Sequence, residues 1–225
     1  MSSRIESVLS YILTACAIVF AGTFVHREFF GAPLRSASSE VGSPIFVKDW
    51  KSIANRGRRI GKMESPVIIV EFADLECPFC KKFHEQTLPK IKEAFSDKVS
   101  LSYVHFPITG HRFANPAARA AECAGDRGRF GPFIDAVYRR QDSLGLKSWA
   151  SFAQDAGIHD TVAFQRCATA VTSLAYVDSG QADGKRIGVV GTPGIMINGW
   201  LFAHPPSDSV LKRTIDSIVN RPASR

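Results

Sequence analysis

"DLECPFCKKFHE", residues 74–85, sets two cysteines two residues apart with Pro78 and Phe79 between them. The run leading into it, "SPVIIVEFADL" (65–75), is apolar, β-branched and bounded by Pro66, which predicts a buried strand. The run leaving it puts Phe79, Phe83, Leu88, Ile91 and Phe95 mostly on one side of a helix from Pro78 to Phe95, which Pro89 should kink. A second strand follows in "VSLSYVHFPI" (99–108). Strand, crossover helix and strand form a unit that pairs its strands in parallel with a right-handed connection. The cysteines therefore mark a strand-to-helix junction in an α/β fold.

Three chemistries use such a pair. A zinc site wants a second closely spaced pair, but Cys123 and Cys167 stand alone and only His84 is near. A structural staple closing so small a loop would constrain little of the unfolded chain. A redox couple suits the junction. Cys77 at the helix start faces unpaired N–H groups and the positive end of the dipole, which favour its thiolate and make it the nucleophile. Pro78 fits the first helical position, and Cys80, one turn inward, becomes the resolving thiol that attacks a mixed disulfide at Cys77.

Working outward, hydrophobic residues make up 45% of the 225 and charged residues 22%, a globular balance that excludes a disordered chain or a multi-span membrane protein. The net charge of +7 is spread along the chain. Its one basic cluster, "NRGRR" (55–59), lacks interleaved aromatics and reads as solvated surface, so no nucleic-acid partner is expected. "VLSYILTACAIVFAGTFV" (8–25) holds no charge over the length of a bilayer-spanning helix. With no clear cleavage site after it, a retained anchor is expected over a removed signal; Cys16 in "LTAC" is followed by more apolar residues, unlike a lipidation site. Residues 26–44 read as a tether. "PAARAAECAG", "FGPFIDAVYRRQD", "SWASFAQDAG" and "TVAFQRCATA" predict a helical insert before strands return in "GTPGIMING" (191–199) and "WLFAHP" (200–205). Asn198-Gly199 should form the hairpin turn, and Ser207 or Asp208 should cap a closing helix.

"VEFADLECPFC" followed far downstream by "GVVGTPGIMINGW" resembles the DsbA-like branch of the thioredoxin superfamily, over roughly residues 45–220. The resemblance implies a thioredoxin-like domain over 45–225 with a helical insert at about 109–187. It implies a cis Pro193 beside the cysteine pair, with Thr192 offering its backbone to substrate. It also places an acid, Glu71, beneath the pair, where burial would raise its pKa and let it take the Cys80 proton. Asp74 and Glu76 should temper the Cys77 thiolate, whereas His84 reads as a packing or surface residue and His105, His111 and His204 have no assigned part. Setting aside Cys16, the parity of the remaining cysteines and the pattern in relatives suggest a second disulfide, Cys123–Cys167; two separate thiols are the alternative.

The expected function is thiol–disulfide exchange on secreted or envelope proteins, outside the cytoplasmic membrane, by a monomer with a membrane redox partner and no cofactor or metal. A copper-binding metallochaperone-like protein is the rival reading, and isomerase ranks below oxidase and reductase. Because Phe79 neither donates a hydrogen bond nor carries charge, an intermediate reduction potential is expected.

Overall fold

Burial along one strand sets out the layers of the fold. The structure is a computed structural model that describes residues 13–16, 18–23, 43–172 and 174–220, and the chain divides into two units, residues 1–41 and 42–225. In the first unit, residues 13–16 and 18–23 are helical. The rest of the expected anchor, and the tether up to residue 42, lie outside the described residues. Among those described, no helix is long and apolar enough to cross a membrane.

The second unit runs β1 (Ile45–Phe46), α1 (Trp50–Arg56), β2 (Arg58–Ile60), β3 (Val67–Ala73), α2 (Pro78–Lys82), a π-helical turn (Phe83–Thr87), α3 (Leu88–Phe95) and β4 (Val99–His105). The helical insert follows as α4 (Ala114–Gly125), α5 (Phe130–Arg139), α6 (Trp149–Asp155), α7 (Thr161–Thr169) and α8 (Ala175–Ile187). The chain closes with β5 (Gly194–Ile197), β6 (Trp200–Leu201) and α9 (Asp208–Val219). The sheet order is β1-β6-β5-β3-β4-β2, with β3 and β4 parallel and every other pairing antiparallel.

In β3, Val67 and Ile69 pack with Leu88 and Ile91 of α3 and with Leu211 and Ile215 of α9. Val70 and Phe72 pack on the opposite face with Ile53 of α1 and with Val189. Side chains alternate along a strand, so Glu71 falls on the Ile69 face, under the redox helix. Each aliphatic side chain fully buried this way contributes roughly 1.5–3 kcal/mol.

Two local expectations change in the folded chain. The helix after Cys77 departs from α geometry at Phe83–Thr87, ahead of Pro89 rather than at it. Proline has no N–H, and its ring would meet the carbonyl of residue 85 in a straight helix; the wider π turn relieves that contact one turn upstream. The "NRGRR" cluster is also no free basic surface. Arg58 and Arg59 lie on edge strand β2; Arg56 pairs with Asp183 (2.6 Å), Arg58 with Glu122 and Asp126 (2.5 and 3.1 Å), and Arg59 donates to Ser100 (2.9 Å). Elsewhere Asn198 and Gly199 take positive φ (44° and 93°) in the β5–β6 turn, and Ser207 caps α9 by accepting from the Val210 N–H.

Candidate active site

Cys77 is the N-cap of α2, in extended conformation, and Pro78 opens the helix. The pair is in the dithiol form. The Cys77 thiol donates to the Thr192 carbonyl at 3.3 Å, which brings the loop before β5 against the redox helix, and the Thr192–Pro193 peptide bond is cis. Both cysteines are buried, Cys77 at 3% exposure and Cys80 at 0%.

The two thiols are set far apart in acidity. The pKa of Cys77 is lowered to about 5, first by the hydrogen bond from the Cys80 thiol and then by the Thr192 hydroxyl and the backbone N–H groups of Cys80 and Phe79; burial opposes them. The Thr192 hydroxyl is buried with no hydrogen-bond partner in the dithiol form, which leaves it available to a Cys77 thiolate. Burial pushes Cys80 well above its ordinary value, and its bond to Cys77 and the charges of Glu71 and Cys77 push the same way. One thiol is thus made acidic and the other is held protonated.

Glu71 is completely buried with neither oxygen paired, and burial, with the Cys77 charge adding, raises its pKa to about 8. Across β4 from it stands Tyr103, whose hydroxyl meets that of Tyr138 at 3.1 Å, both fully buried. The redox pair thus rests on a polar floor inside an apolar cluster that also holds Phe133, Val137 and Phe152 of the insert. Beside the pair, Phe79, Phe83, Thr192, Pro193, Pro205 and Pro206 line an open groove of about 430 Å³, with Phe79 68% exposed at its rim. Lys82, Thr87, Ser207 and Asp208 add polar groups to this mainly apolar lining, and Thr192 links the groove to Cys77.

Cys77, Cys80, Glu71, Thr192 and Pro193 are therefore gathered in one place. Cys123 and Cys167 are bridged, joining α4 to α7 with Cα atoms 6.1 Å apart, and border the same apolar cluster as the Cys77–Cys80 pair. His84 is buried against Tyr138 with ring centroids 4.9 Å apart, and its pKa is lowered to about 4 by burial and Lys92. His105 binds Glu122 at 2.9 Å, away from the redox pair. Among the described residues no group of three or more His, Cys, Asp or Glu side chains is arranged to hold a metal ion.

Several side chains that shape the site carry no local sequence signal. Gln141 donates to the carbonyls of Leu75 and Cys77 (2.8 and 3.0 Å) and pins the turn before the helix. Asp74 turns inward and accepts from the N–H groups of Glu76 and Ile108 and from His111, and Glu76 accepts from the Phe113 N–H. Both acids thus tie the redox loop to the β4–α4 loop, a role invisible before residues 74 and 111 are known to meet.

A thioredoxin family model matches residues 54–217. The chain belongs to the DsbA-like branch of the thioredoxin superfamily. It is 30% identical to the "probable disulfide bond formation protein D" of Bacillus anthracis over 96% of this chain and 97% of that one. The structure of oxidised BdbD from Bacillus subtilis superposes with a TM-score of 0.66 at 23% identity, covering 80% of this chain and 97% of the other, a likeness of fold. A segment that is 50% of this chain is 36% identical to 18% of a Na(+)/H(+) antiporter of Salinispora tropica. The chain spans between 14% and 26% of the length of four such antiporters, so it resembles one part of them.

Proposed function

We propose that the protein is a thiol–disulfide oxidoreductase that introduces disulfides into proteins outside the cytoplasm, with Cys77 as nucleophile, Cys80 as resolving thiol and Glu71 as the proton carrier. The observation that carries this reading is the split acidity of the two thiols at a helix start facing Thr192-Pro193. In the oxidising direction a client thiolate attacks the Cys77 sulfur of the Cys77–Cys80 disulfide. The S–S bond breaks, Cys80 leaves as thiolate, and neutral Glu71 gives it a proton. A second client thiolate then attacks the client sulfur of the mixed disulfide, and Cys77 departs as a thiolate. The client loses two electrons and the pair gains them. A low pKa makes Cys77 a good leaving group in that last step, which favours net oxidation.

Thr192 and Pro193 form the wall against which the client's backbone lies, and the apolar groove takes its side chains. Residues 8–25 anchor the protein in the cytoplasmic membrane with the catalytic unit on the outer side, where the Cys123–Cys167 bridge is compatible with an oxidising compartment. A membrane redox partner reoxidises the pair. The test is single-turnover oxidation of a dithiol peptide by the oxidised full chain in detergent. The expected result is stoichiometric peptide disulfide and reduced Cys77 and Cys80, lost in Cys77→Ser. An oxidised chain that leaves the dithiol untouched over hours would sink the reading.

A further inference from the structure

The loop between β4 and α4 brings one more titratable side chain to the redox loop. His111 Nδ1 lies 2.8 Å from Asp74 Oδ2. A carboxylate only accepts, so the imidazole donates. The same oxygen accepts from the Ile108 N–H (2.9 Å), Oδ1 accepts from the Glu76 N–H (2.8 Å), and the Asp74 carbonyl accepts from the Cys77 N–H (3.1 Å). The Asp74 side chain is fully buried, whereas that of His111 is 30% exposed and exchanges protons with solvent. A buried carboxylate three residues before the nucleophile opposes a second negative charge on Cys77. Phe79, between the cysteines, supplies no side-chain donor to offset it.

We propose that His111 is a positioning residue for the redox reaction: held by Asp74 as an imidazolium, it offsets that carboxylate and favours the Cys77 thiolate. The charge that the dipeptide between the cysteines lacks is thus delivered from another element. The proposal rests on the oxidoreductase reading and goes beyond it. The groups acting on His111 are Asp74, Glu76 and Cys77 of the redox loop; on its own loop the neighbouring Arg112 lies over the Phe113 ring at 5.4 Å. Partial burial lowers the His111 pKa, but the hydrogen bond to Asp74 and the charges of Asp74, Glu76 and Cys77 outweigh it and raise the pKa. Coupling between two sites is reciprocal, so a Cys77 thiolate that favours the imidazolium is favoured by it. This contribution adds to the larger ones from Cys80 and the helix N–H groups. It is present at acid and neutral pH and disappears as pH rises through the raised His111 pKa.

The test uses the full chain in detergent. His111→Asn keeps a donor near the Nδ1 position and carries no charge. Ultraviolet absorbance of the thiolate should show the Cys77 pKa rising by about half a unit, or roughly threefold in the thiolate-to-thiol ratio. The glutathione equilibrium should move about threefold toward the less oxidising side at about pH 6, with the difference gone at about pH 9. In an Asp74→Asn background the second substitution should shift nothing, because His111 is then neither held nor charged. A His111→Asn protein that loses thermal stability while its thiolate titration and glutathione constant match wild type would overturn the proposal. Should the variant not fold, the wild type suffices: by NMR the His111 pKa must be higher in the dithiol than in the disulfide form, and equal values overturn the proposal. A wild type that never equilibrates with glutathione sinks the oxidoreductase reading instead, leaving the thiolate and imidazole titrations to judge His111.

Discussion

A buried acid with no partner is costly unless it stays neutral, and Glu71 illustrates the cost. Its folded pKa of about 8 exceeds the ordinary 4.5 of an unfolded chain. Its influence on stability is therefore most favourable below pH 4.5 and is lost as pH rises through 8, a span worth roughly 5 kcal/mol. Neutral Glu and Gln differ little in size and polarity, so Glu71→Gln should fold about as stably as wild type in acid and gain roughly 3 kcal/mol at neutral pH. Urea unfolding across pH measures this; parallel curves for the two proteins would show that Glu71 is ionised in the folded state. The same substitution removes the proton carrier proposed for Cys80, so on that proposal resolution of a mixed disulfide should slow by about 10²-fold. Cys77 behaves oppositely. Its folded pKa of about 5 lies below the ordinary 9, so in the dithiol form it adds stability that is present above pH 9 and lost as pH falls through 5. Nothing of this term exists in the disulfide, so it stabilises the reduced form selectively and makes the pair an oxidant.

At the scale of elements, α2 sets how strong that oxidant is. A Cys77 pKa of about 5 lies between the values of thioredoxin (about 7) and DsbA (about 3.5), so the potential should fall between about −270 and −120 mV, measured against glutathione. A value at either limit would show that the helix and Cys80 do not govern the thiolate. Phe79→His puts a donor and partial charge at the helix start, and the protein should become more oxidising. The insert answers to a different bond. The Cys123–Cys167 bridge closes a loop of 44 residues, worth about 4 kcal/mol in chain entropy. Replacing both with Ala should lower the melting temperature and leave redox turnover nearly intact, since neither residue belongs to the Cys77–Cys80 or Thr192-Pro193 segments; equal loss of turnover would mean that the insert shapes the site through the bridge and the cluster they share. Strands β3 to β6, the hairpin and the redox helix were legible in sequence because periodicity and turn chemistry are local signals, whereas β1, α1 and β2 were not, being too short to carry a period. The π turn was not, because it depends on how the ring of Pro89 is accommodated one turn away. The paired state of Arg56 and Arg58 was hidden too, since Asp183 and Glu122 meet them only after the insert folds back on the sheet.

For the whole molecule, the site is assembled from segments distant in the chain: Glu71 from the central strand, Cys77 and Cys80 from the helix after it, Thr192-Pro193 from beyond the insert. Spacing pointed to Cys77 and Cys80, and the family resemblance to Glu71, Thr192 and Pro193; their supports, Gln141, His111, Tyr103 and Tyr138, are tertiary and could not be read from neighbours in sequence. That assembly gives two buried sulfurs opposite acidity, and from the difference follows a test of the complete mechanism in cells. Removing Cys80 leaves a nucleophile at the groove but nothing to resolve what it captures, although loss of the Cys80 donor raises the Cys77 pKa and slows the capture. A Cys80→Ala chain should therefore accumulate client proteins in mixed disulfides, visible as ladders on non-reducing gels and collapsing on reduction. Removing Cys77 leaves a thiol that is fully buried and held well above its ordinary pKa, so Cys77→Ala should trap almost nothing. If the two variants trap clients equally, the roles assigned to the sulfurs are wrong. If neither traps any while both fold, thiol exchange with proteins is not what the pair does.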